Sequence, residues 1–140
     1  KAKIIHVTRS PADTCFAMYK QLFGDIHEYS YDQRELAEYY VMYCKLMDFW
    51  RQMMPGKIID VAYEDMVTNS LGTSKRLLEQ LGLEWEDTCG SFEKNASAVV
   101  TASAVQVREK IHQRSLGRWK MYKQQLKPIV DILKAAGIAP

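Results

Sequence analysis

An α/β fold with a parallel sheet is what this sequence predicts, and three observations carry the expectation. Ile4, Ile5 and Val7 form one short, apolar, β-branched run, and Ile58, Ile59 and Val61 form a second. Runs of this kind suit strands buried in a parallel sheet. About fifty residues of mainly helical character separate the two, a spacing that joins parallel strands through helices. The first run also passes directly into a helix start, the junction at which α/β proteins bind anionic ligands. A freely stable doubly wound domain usually has more strands than two. Because Lys1 leads at once into a strand, residues 1–140 are expected to be the carboxyl-terminal part of a single larger α/β domain.

The first helix start is sharply specified. Ser10 suits the N-cap, Pro11 suits the first helical position, where its missing N–H has no partner to lose, and Asp13 can close a capping box as a shorter stand-in for Glu. The free N–H groups and positive dipole end of such a helix favour a phosphate beside the strand end. Arg9, between strand and helix, would supply a bidentate charge. The same residues allow a plainer reading, in which Arg9 pairs with a carboxylate at the strand end. The helix is expected from Pro11 to about Leu22, with Gly24 as its cap, followed by a loop from Asp25 to Tyr31.

Asp32 with Glu35 forms a second capping box, and a long helix follows to about Met54, stopped by Pro55-Gly56. Leu36, Tyr39, Tyr40, Tyr43, Leu46, Met47, Trp50, Met53 and Met54 recur at three- and four-residue intervals, so this stripe reads as packing against a core rather than a cofactor box. The second strand spans Lys57 to Tyr63, with Glu64 and Asp65 after it and a helix from Ser70 to Leu81 that Gly82 ends. Trp85 to Asn95 reads as a loop with a helical turn around Cys89 to Phe92, and Ala96 to Ala104 as a small-residue loop. A helical piece at Val105 to Ile111, a turn over Ser115 to Lys120, and helices around Trp119 to Leu126 and Pro128 to Ala136 complete the chain.

Composition is that of an ordinary folded domain: 47% of the residues are hydrophobic and 26% charged. No apolar run approaches a membrane span, and no signal-peptide pattern is present. Cys15, Cys44 and Cys89 are scattered and lack ligand-pair spacing, which argues against a disulfide framework or a metal site and suggests a reducing, cytoplasmic setting. Net charge is only +2, yet Gln106 to Lys127 carries Arg108, Lys110, Arg114, Arg118, Lys120, Lys123 and Lys127 against the single acid Glu109. Such concentrated charge implies an anionic partner.

Arg9 with Ser-Pro at a helix head, Tyr63-Glu64-Asp65, Thr101-Ala102-Ser103 with Gln106-Val107, and Ser115-x-Gly117-x-Trp119 together resemble the second half of sulfotransferases. The likeness is strongest to the bacterial tetratricopeptide-linked sulfotransferases and the related tyrosylprotein sulfotransferases. It extends to His27-x-Tyr29-Ser30-Tyr31-Asp32 and the terminal basic helix. The resemblance implies the helix-rich carboxyl-terminal part of a P-loop-like parallel-sheet domain that uses 3′-phosphoadenosine 5′-phosphosulfate (PAPS) to sulfate an acceptor hydroxyl. By the same resemblance Arg9 holds the 3′-phosphate. The serine that usually assists eight positions later is Ala17 here, leaving Arg9 and the helix start with the phosphate, or Lys20 to help. Tyr63 is similar to the tyrosine on the adenine side, and a tyrosine at a strand end can equally pack and hydrogen-bond locally. Ser103, Gln106 and Val107 open the donor-binding loop, and Arg118 replaces a lysine with a planar fork suited to phosphate. Trp119 either covers the nucleotide or anchors the loop, and anchoring is favoured. Arg108, Lys110 and Arg114 supply a general positive field.

The family's Gly-rich phosphosulfate loop and catalytic base have no match in this sequence. His6, His27 and His112 do not fit the base, so no catalytic residue is nominated, and the chain alone is expected not to turn over. The acceptor stays open among protein tyrosine, carbohydrate and small alcohols. A P-loop nucleotide or nucleoside kinase fragment is one rival reading. A non-catalytic nucleic-acid-binding module using Trp119 and Tyr122 among the basic residues is another, disfavoured because the positive charge is confined to one segment. An exposed sheet edge would invite self-association.

Overall fold

The structure, a computed structural model, describes residues 2–90 and 111–140. Strand β1 (Ile4–Thr8) pairs in parallel with β2 (Ile58–Ala62), Ile4 opposite Ile58 and Thr8 opposite Ala62, as the spacing of the two runs predicts. Between them run α1 (Pro11–Lys20) and α2 (Gln33–Met53). Ser10 caps α1 by accepting from the Asp13 N–H at 3.4 Å. The helix stops at Lys20 and not at Leu22: Gln21 is already extended, and Gly24 is no cap. Tyr31 explains the early end. Its hydroxyl accepts from the Phe23 N–H at 2.9 Å and donates to the Gly24 carbonyl at 3.1 Å, pulling this stretch back toward a short 3₁₀ turn at Glu28–Tyr31.

Asp32 caps α2 as expected, its carboxylate accepting from the N–H groups of Arg34 and Glu35 at 2.7 and 3.0 Å. Past β2 the chain enters α3 (Tyr63–Thr68) without a linker, so Tyr63 opens a helix instead of closing a strand. Asn69 then caps α4 (Ser70–Leu81), and Gly82 ends it in the left-handed conformation, φ 73°, that favours glycine. A 3₁₀ turn covers Asp87–Gly90, slightly ahead of the expected position, and another covers Arg118–Tyr122 where a longer helix was expected. Helix α5 (Lys127–Ala135) follows. The expected small-residue loop at 96–104 and the helical piece beginning at Val105 lie outside the described residues, save Ile111.

The core lies where α1, α2 and α5 meet. Ala12, Cys15 and Phe16 of α1 pack with Leu36 and Ala37 of α2, Trp119, and Ile129 and Leu133 of α5. Two expectations are corrected here. The α2 stripe packs only over its amino-terminal half, because α1 and α5 reach no further: Leu46, Trp50 and Met53 are 51%, 40% and 62% exposed. Likewise Ile4, Ile5 and Val7 are exposed in a two-stranded sheet, whereas Val61 of β2 is buried. Among the described residues no helix is long and apolar enough to cross a membrane.

Candidate anion site at the strand–helix junction

Strand β1 ends at Thr8 and α1 begins at Pro11, so Arg9 is held between two rigid elements. Its Nη2 donates to the Ser115 carbonyl at 2.8 Å, and its guanidinium carbon sits 5.0 Å from the Tyr63 ring centroid. Its Nε is buried with no hydrogen-bond partner. Among the described residues no carboxylate forms an ion pair with Arg9, so the plainer expectation of a strand-end carboxylate does not hold. A buried guanidinium N–H without an acceptor is unfavourable unless something fills the gap. Cation–π contact with Tyr63 holds the planar group in place.

The bare helix end expected beside Arg9 is partly occupied. The Ser10 N–H donates to Glu64 Oε1 at 2.8 Å, the Asp13 N–H is taken by Ser10, and Pro11 has no N–H to offer. Nor does Asp13 complete a capping box. Its carboxylate, 2% exposed, instead accepts from the N–H groups of Gly117 at 2.6 Å and Trp119 at 3.0 Å. Gly117 is left-handed, φ 65°, and makes the turn that aims both amides at Asp13. This clamp brings the Ser115–Trp119 turn against the start of α1 and buries Trp119 as an anchor. Arg118 lies within it with an exposed side chain.

Beside Arg9 a cavity of about 360 Å³ opens between β1, α1 and α2. Arg9, Ala17 and Thr14 line it together with Tyr39, Tyr40 and Tyr43. The structure thus brings Arg9 and Ala17 into one cavity and Tyr63 onto the arginine. Lys20 is not part of it; its Nζ lies 4.5 Å from the Phe16 ring centroid. Ser103, Gln106 and Val107, with Arg108 and Lys110, lie outside the described residues.

One cluster was not foreseen from sequence. His6 and Asp60 are register partners on β1 and β2, and His6 Nδ1 meets Asp60 Oδ1 at 2.5 Å. His6 Nε2 meets the Tyr43 hydroxyl. Arg51 donates to both Asp60 oxygens, at 3.1 and 2.9 Å, and to Asp48 at 2.9 Å. These donors, Arg51 first and His6 after it, hold the Asp60 carboxyl below the usual carboxylate range. Burial, with the nearby Cys44, pushes the Tyr43 phenol up, and burial carries the Cys15 thiol to about 12. Aligning the two strands in register would have found His6 with Asp60; nothing local announces Arg51 or Tyr43.

An uncharacterized protein of Aquifex aeolicus (strain VF5) is 30% identical over 136 residues, covering 95% of this chain. The chain spans 18% of that relative's length. The sequence model of the Sulfotransferase family matches residues 1–87, a stretch that contains β1, Arg9, Ala17 and Tyr63. On that match, the chain belongs to the sulfotransferase family.

Proposed function

We propose that this chain forms the 3′-phosphate and adenine side of a PAPS site, within a sulfotransferase that transfers the sulfuryl group to an acceptor hydroxyl. The observation that carries the reading is Arg9, which lines the open cavity, has no carboxylate partner among the described residues and keeps a buried Nε without a hydrogen-bond partner. It is the residue and the place that the family likeness assigns to the 3′-phosphate. A phosphate fits this donor: Nε and a terminal nitrogen form a fork that matches two phosphate oxygens. When bound, the nucleotide supplies the sulfuryl group itself.

The chain's own residues bind and orient. Arg9 grips the phosphate, and Tyr63, lying against the planar guanidinium, holds its orientation. Ala17 lines the same cavity without the hydroxyl that a serine would add, so Arg9 carries more of the phosphate than it otherwise would. Arg118, exposed on the turn clamped by Asp13, adds positive charge to the donor loop, which Ser103, Gln106 and Val107 complete. In the same reading residues 1–140 are the carboxyl-terminal part of a P-loop-like domain of the tetratricopeptide-linked, tyrosylprotein-related kind, working in the cytoplasm. The base and the phosphosulfate loop come from elsewhere in the domain.

Calorimetric titration of the intact protein with adenosine 3′,5′-bisphosphate tests this. Arg9→Ala should weaken binding about ten- to a hundredfold, the effect of losing charged hydrogen bonds to one phosphate. Unchanged affinity would refute the role of Arg9.

A further inference from the structure

We propose that Asp13 is a positioning residue for the nucleotide: resting on the donor-site reading above, it sets which edge of the Arg9 guanidinium is left for the 3′-phosphate, acting through the Ser115–Trp119 turn that both residues hold.

A planar guanidinium beside an aromatic ring is constrained in one respect only. The Tyr63 ring, with its centroid 5.0 Å from the guanidinium carbon, restrains the plane of the group, but a ring face favours no direction within that plane. Rotation in the plane needs a directional bond, and Arg9 makes one: Nη2 donates to the Ser115 carbonyl at 2.8 Å. With Nη2 so committed, Nε stays buried without an acceptor, on a residue that lines the cavity. Which nitrogens remain for a phosphate therefore depends on where the Ser115 carbonyl stands.

Asp13 decides where it stands. Its carboxylate, 2% exposed, accepts from the Gly117 N–H at 2.6 Å and the Trp119 N–H at 3.0 Å. Burying a carboxylate is costly unless it is well hydrogen-bonded, and the cap of α1 makes no use of this one, since Ser10 supplies the capping oxygen. Arg9 and Asp13 stand on either side of that cap, so both reach the turn from the same rigid helix start. The three bonds depend on one another. The two amides bring Ser115 up to Arg9, and Gly117, at φ 65°, makes the bend between them. Losing either acceptor oxygen frees the turn, and the carbonyl moves with it.

The test is calorimetry on the intact protein with two probes, adenosine 3′,5′-bisphosphate and adenosine 5′-phosphate, which lacks the group that Arg9 holds. Asp13→Asn keeps the shape of the side chain but turns one acceptor into a donor that faces an N–H. Gly117→Ala strains the same turn through its backbone, the added Cβ meeting nothing closer than the Lys120 side chain at 3.6 Å. Each should weaken the bisphosphate roughly three- to tenfold, a coupling usual within one hydrogen-bond network, and leave the monophosphate unchanged. In an Arg9→Ala background neither should weaken the bisphosphate further. Thermal unfolding checks that the variants fold, and Gly117→Ala carries the test if Asp13→Asn does not. Bisphosphate affinity unchanged in a folded variant overturns the inference and leaves the nucleotide reading standing. Equal loss for both nucleotides does the same, because it marks a turn that is only structural. A wild type that does not bind the bisphosphate overturns the nucleotide reading and this inference together.

Discussion

Asp13 is the residue whose use in the structure departs furthest from its local sequence context. Next to Ser10 and Pro11 it reads as part of a helix cap, yet its carboxylate serves amides 104 and 106 positions away. Ser10, Pro11 and the placement of Arg9 were legible because caps are decided within a single turn. The partners of Arg9 were not, since Ser115 and Tyr63 arrive from remote parts of the chain. Removing the Asp13 carboxylate orphans two N–H groups in a buried place. Asp13→Ala should therefore lower unfolding stability by about 3 kcal/mol, read from urea denaturation. At the ligand, Arg9→Lys should recover only part of the nucleotide affinity lost in Arg9→Ala, because an ammonium keeps the charge but cannot present the fork.

Among the elements, the two strands and the helices α1, α2 and α4 followed from period and caps, and α3 did not. Tyr63-Glu64-Asp65 reads as the tail of a strand because Tyr63 extends the apolar run, whereas the backbone turns helical there and Glu64 reaches back to Ser10. The α2 stripe shows the limit of periodicity: it reports which side is apolar, not how much of it another element covers. Leu36 is fully buried and Leu46 half exposed on the same helix. Beyond the backbone pairing of β1 with β2, an electrostatic tie joins both strands to α2 through His6, Asp60 and Arg51. Asp60 titrates lower in the folded protein than in the unfolded chain, so its contribution is present above the ordinary carboxylate range and is lost as pH falls through its folded value. Asp60→Asn should accordingly be less stable than wild type at neutral pH, and the two unfolding curves should converge in acid. A difference that stays constant down to low pH would show that charge is not what joins these elements.

At the scale of the whole molecule, the core and the sheet are separate. Side chains of α1, α2 and α5 close a helical core, while the outward β1 residues stay exposed. Leu133→Ala should thus lower stability by about 3 kcal/mol, and Leu46→Ala should change it by no more than about 0.5 kcal/mol, in parallel thermal or urea unfolding. The parallel pairing of two strands through helices was legible from spacing alone; that the helices bury each other more than they bury the sheet depends on contacts no local pattern encodes. The Arg9–Ser115 bond bears on synthesis as well. During translation Arg9 emerges 106 residues before the carbonyl that holds it. At roughly ten residues per second on the ribosome, the nascent strand and its arginine wait about ten seconds for their partner. Tyr63 and Glu64 emerge about halfway through that interval, so the junction is assembled in two stages, and its last contact forms only when the Ser115–Trp119 turn has been made.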